Sequence, residues 1–93
     1  MITEAVNHIF EHHIKQEFNK IPIEKFDEYI RKVADEKKSQ SALWNSHLNQ
    51  VRCSIERIAQ SNGVDHDNLS GVVDRVLFRY ATYIDECSAA IST

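Results

Sequence analysis

Apolar residues return every three or four positions in four stretches of the chain. In the first, Val6, Ile9, Phe10, Ile14 and Phe18 share the spacing of one helical face. They predict a helix over about residues 3–19, with Thr3 as its N-cap. The second stretch follows Pro22, a residue suited to a first helical turn. Its stripe is Ile23, Phe26, Ile30 and Val33, with Tyr29 at the edge, and predicts a helix over about 23–38. The charged run RKVADEKKSQ mixes signs and reads as a solvated face. The third stretch places Trp44, Leu48, Val51, Ile55 and Ile58 on one line. Ser41 caps its start and Gly63 stops it, so the helix runs over about 41–61. In the fourth, over about 67–91, the line is Leu69, Val73, Val76, Tyr80, Ile84, Cys87 and Ile91. Val72 and Tyr83 flank it on one side and Leu77 on the other. At ~100° per residue the apolar arc is about 140° wide, which predicts a central helix that touches most of the others.

Ninety-three residues make one domain, 1–93, with 42% hydrophobic and 27% charged residues. Two glycines and one proline are too few for a turn-rich β fold. The connections near 20–22, 38–41 and 62–67 are short, and the expected fold is all-α, a compact four-helix bundle of up-down or orthogonal type. The opening MITEAVNHIF lacks the basic-then-apolar order of a signal peptide. The most apolar run, VVDRVLFRYATYI, is broken by Asp74, Arg75 and Arg79, so no membrane span is expected. Two cysteines make no disulfide framework, and a reducing cytoplasm is the expected location.

Residues 55–77 resemble a helix-turn-helix. Ala59, Gly63, Val64, Leu69 and Val72 fit its small and apolar positions, with Ile58 before the alanine. Asn62 stands where an apolar residue is usual. The resemblance implies a DNA-binding transcriptional regulator. The chemistry of the reading face argues against it. Asp65, His66, Asp67, Ser70, Gly71 and Asp74 would face outward, where phosphate binding calls for Lys and Arg. Only Arg75 and Arg79 flank the far end of that face, and residues 31–38 would have to supply the other contacts. A net charge of −3 also disfavours nucleic acid. DNA binding is therefore the alternative, and a structural helix junction the first reading.

Few residues suggest a reaction. His8 and His12 stand one turn apart beside Glu11, but a zinc site needs three or four ligands and NHIFEHHIK does not match HExxH. His13 projects nearer Val6 and Ile9, as a core-edge histidine. DHDNLSG begins like a calcium loop, yet Leu69 and Val76 occupy its fifth and twelfth positions. A polar helix start, with Asp65, Asp67 and Asn68 near free N–H groups, accounts for it. Cys87 lies on the core line of the fourth helix, and Cys53 lies opposite the core with Arg52 and Arg57 nearby. There is no glycine-rich phosphate loop and no Ser-His-Asp grouping. The expectation is a non-enzyme with no metal, no cofactor and no small-molecule substrate.

The more informative pattern is a lack of charge. Residues 39–51 include no Asp, Glu, Lys or Arg, and depletion of charge marks interface cores. Asn45, Ser46, Asn49, Gln50, Cys53 and Gln60 lie away from the apolar stripe of their helix. Phe78 points out of the fourth helix amid Asp74, Thr82 and Asp85. The expected function is a small acidic protein-binding module: an adaptor, inhibitor or regulator that meets another protein or a second copy of itself. The expected interface is Asn45, Asn49, Gln50, Cys53 and Phe78, with Asp65, Asp67 and Asp74 suited to a basic partner surface.

Overall fold

Helix α1 covers residues 2–19 in the computed structural model, which describes residues 2–92. It has three parts: α-helical Ile2–Ile9, a π-helical turn Phe10–Ile14 and α-helical Lys15–Asn19. The π turn follows from the spacing of the apolar residues. Val6, Phe10, Ile14 and Phe18 recur every four residues, whereas an α-helix turns in 3.6. At ~100° per residue the last would drift about 120° from the first. One wider turn removes most of that drift, and all four side chains are buried.

Helix α2, Ile23–Ser39, starts after Pro22, whose backbone is extended at ψ 137°. Helix α3, Ala42–Ser61, is capped by Ser41, whose Oγ accepts the Trp44 N–H at 3.1 Å. Helix α4, His66–Ser92, is capped by Asp65, whose Oδ1 accepts the Asn68 N–H at 3.0 Å. Both α2 and α3 end in Schellman turns. At the first, Ser41 N–H reaches Glu36 O at 3.2 Å and Gln40 sits in left-handed backbone at φ 50°. At the second, Val64 N–H reaches Ala59 O at 3.1 Å over Gly63 at φ 82°.

The chain is an all-α four-helix bundle, and α4 is its centre. At ~1.5 Å per residue, the 27 residues of α4 span the 39 Å long axis of the molecule. All three other helices pack on it. Helices α1 and α2, though consecutive, pack on α4 rather than on each other. Ile2 and Thr3 line a groove with Val64 and Val72, while Phe10 meets Tyr83 further along. Tyr29 meets Tyr80, and Lys37 meets Asp85. Phe18 before the 20–22 link and Tyr29 after it both meet Tyr80.

The core joins Ile9, Phe10 and Phe18 from α1, Ile30 and Val33 from α2, Trp44 and Ile55 from α3, and Val72, Val76, Tyr80 and Ile84 from α4. Each helix buries the face that its periodicity marks. One position departs: Ile23 is 88% exposed. It sits at the first residue of α2, before the helix reaches the core, and the stripe begins at half-buried Phe26.

Candidate functional site

Two contacts fix how α3 lies on α4. The His47 imidazole hydrogen-bonds the Tyr80 hydroxyl, and Arg52 pairs with Asp74 at 3.0 Å. Position numbers rise along α3 as they fall along α4, so the helices are antiparallel. That register brings Asn49 level with Phe78, and Asn45 close to the level of Thr82. The exposed flanks of α3 and α4 therefore run side by side at this level, and Phe78 is 73% exposed on the central helix. Beside the ring runs a groove of about 400 Å3, bounded by Thr3, Val6 and Asn7 of α1 and by Asp74, Arg75 and Arg79 of α4.

The structure gathers part of the predicted interface. Asn45, Asn49, Cys53, Asp74 and Phe78 are all exposed on this pair of helices. Asp74 does not stand free, because Arg52 neutralises it. Gln50 is exposed but turns to the other flank of α3, where it lines a cleft with Ser54 and Phe18. Asp65 and Asp67 lie at the start of α4, about 16–20 Å along the helix from Phe78 at ~1.5 Å per residue. Asp65 is occupied as the N-cap. These acidic residues belong to the end of the bundle rather than to the Phe78 surface.

Two residues escaped the sequence reading. Leu43 is 66% exposed in the first turn of α3 and adds an apolar group to the uncharged segment. From Ala42 to Gln50, every exposed side chain is uncharged. His47 is the second. It stands four residues before Val51 and eleven before Ile58, a line on the flank of the core stripe that marks it as inward-facing. In the structure it is half-buried, stacked beside Trp44 at 5.9 Å between centroids. Burial lowers its pKa below the usual 6.5, and the Glu36 carboxylate opposes the shift in part. Burial also raises the pKa of Tyr80, whose hydroxyl further interacts with that of Tyr29.

Of the basic residues the DNA-binding alternative relies on, Arg79 and Lys37 are engaged within the bundle, while Arg31, Lys32, Lys38 and Arg75 are exposed. Arg79 donates to Asn7 Oδ1 at 2.5 Å, pairs with Glu11 at 3.5 Å and lies over the Phe10 ring at 4.3 Å. It clamps the π turn of α1 to α4. Arg75 is exposed. Lys37, from the 31–38 segment, bonds Asp85 at 2.7 Å. On the motif's reading face Asp65, His66, Asp67, Ser70, Gly71 and Asp74 are all exposed, as the helical pattern predicts.

His8 and His12 stack at 4.7 Å between ring centroids, and His8 meets His13 edge-on at 5.8 Å. No group of three metal-binding side chains forms among the described residues. His13 is half-buried at the α3 side, as a core-edge residue. Cys53 is exposed and Cys87 half-buried, both as free thiols. No helix among the described residues is long and apolar enough to cross a membrane. Comparison of the chain with family models, curated proteins and solved structures finds no match.

Proposed function

We propose that this chain is a protein-binding module whose contact surface is the shared outer face of α3 and α4. The observation that carries the reading is Phe78: a phenyl ring 73% exposed on the most deeply packed helix of the bundle. Large aromatic groups seated beside grooves are the usual energetic centres of protein interfaces. The exposed side chains of α3 from Ala42 to Gln50 are uncharged and cost less to desolvate than charged groups, provided the partner hydrogen-bonds their amides. The partner is another protein with an apolar pocket and a basic rim. The chain has a net charge of −3, and Asp67 and Glu86 add exposed carboxylates to α4 beyond Asp74 and Asp85, which Arg52 and Lys37 offset. Two acidic copies repel, which favours a different, cationic partner over a homodimer. A role as adaptor, inhibitor or regulator in the cytoplasm completes the reading.

The test is affinity capture with the wild-type chain and the Phe78→Ala, Asn49→Arg variant side by side. Proteins held only by the wild type are purified and titrated against both. The reading expects binding to fall at least tenfold in the variant. Equal affinity for both forms contradicts it.

A further inference from the structure

A cleft of about 410 Å3 opens between α1 and α3, on the opposite flank of α3 from Phe78. All four helices contribute to it. Phe18 of α1 and Val51 of α3 supply apolar walls. Tyr29 of α2, His47 of α3 and Tyr80 of α4 supply polar groups at its floor. Binding sites for small molecules share this build: an apolar concavity of about 300–1,000 Å3 with a few convergent hydrogen-bonding groups.

The three polar groups are linked. His47 and Tyr80 share a hydrogen bond, and Tyr80 interacts with Tyr29. Each hydroxyl both donates and accepts, and each imidazole has a second nitrogen, so the chain has capacity left for a ligand. Both tyrosines are uncharged at neutral pH in any case, and burial lowers the pKa of His47 and so favours its neutral form. No Lys or Arg lines the cleft, and its one carboxylate, exposed Glu17, is paired with Lys20 at 3.2 Å, so an anion finds no lining cation to offset its desolvation. Phe18 and Tyr80 pack on each other, 5.7 Å between ring centroids, so a flat ligand ring would meet the outer edge of this aromatic pair rather than a gap between them.

We propose that this cleft binds a small uncharged aromatic molecule carrying one hydroxyl or carbonyl group, held by the Tyr29–Tyr80–His47 chain. The site is separate from the Phe78 surface and stands or falls independently of it.

The probe is p-cresol, titrated into the isotope-labelled full chain and followed by amide chemical shifts, with benzoate as the anionic control. The expected result is saturable shifts clustered at Phe18, Tyr29, His47, Val51 and Tyr80. Ser54→Phe, which fills the cleft from its wall, abolishes them while the rest of the spectrum is retained. Gln50→Trp does the same from the exposed rim should Ser54→Phe disturb the fold. Tyr29→Phe, which loses one hydrogen bond, weakens binding about fivefold to tenfold. The proposal is overturned by shifts that do not saturate, by binding that survives both filling variants, or by benzoate binding as tightly as p-cresol.

Discussion

The imidazole of His47 and the hydroxyl of Tyr80 meet across the α3–α4 interface, beside the buried apolar core. Neutral His47 fits there, and the burial that lowers its pKa disfavours the charged form. In the unfolded chain a histidine protonates near pH ~6.5. As pH falls below that value, the unfolded state takes up a proton that the folded state resists, and stability falls. The loss continues until the folded pKa is passed. Urea unfolding at about pH 7.5 and about pH 5 should give a lower midpoint in acid. The difference should shrink in His47→Gln. An equal difference in that variant assigns the effect to other groups.

Removing the partner tests the same pair from the other side. Tyr80→Phe leaves the ring in place but strips His47 of its hydrogen bond, at a cost of about 1–2 kcal/mol. In His47→Gln the further loss on Tyr80→Phe should be smaller, because the bond is already altered. Unfolding of the two single variants and the double variant gives the coupling directly.

Arg79 and Arg75 should behave differently although they are one turn apart. Arg79 holds Asn7, Glu11 and the face of Phe10, so Arg79→Ala should destabilise by about 1–2 kcal/mol. Arg75 is exposed, and Arg75→Glu should stay within about 0.5 kcal/mol of wild type. Thermal unfolding separates them. The DNA-binding alternative is then tested with Arg75→Glu alone, since loss of binding in an Arg79 variant would also report loss of fold.

The two Schellman turns make opposite predictions for glycine. Gln40 occupies left-handed backbone at φ 50°, so Gln40→Gly should stabilise by about 1 kcal/mol. Gly63 holds φ 82°, so Gly63→Ala should destabilise by about 1 kcal/mol even though open space surrounds the added methyl. Chemical denaturation of both variants checks the pair.

How far the chain was legible depended on which interaction decided each feature. Buried stripes repeat along a helix, so Val73, Val76, Tyr80 and Ile84 marked α4 as central before any contact was seen. The caps at Ser41 and Asp65 and the turn at Gly63 are equally local. The π turn in α1 was written in the four-residue spacing of Val6, Phe10, Ile14 and Phe18, but it shows only when that spacing is measured against 3.6 rather than accepted as helical. Ile23 matched the stripe of α2 yet lies in solvent, because periodicity does not say where a helix first meets its neighbours. Pair contacts between distant residues left no such mark. Nothing local to Asp74 announces Arg52, and nothing local to Arg79 announces Asn7, because these pairs join residues far apart in the chain. Phe78 was legible for the opposite reason: it breaks the pattern of its own helix.

The most direct measurement of the central claim is photo-crosslinking to a partner protein, with a photoreactive phenylalanine placed either at Phe78 or at Lys32 on the exposed back of α2. The account predicts a strong adduct from position 78 and little from position 32. Adducts from position 32 with none from position 78 would place the contact surface on the other side of the bundle and contradict it.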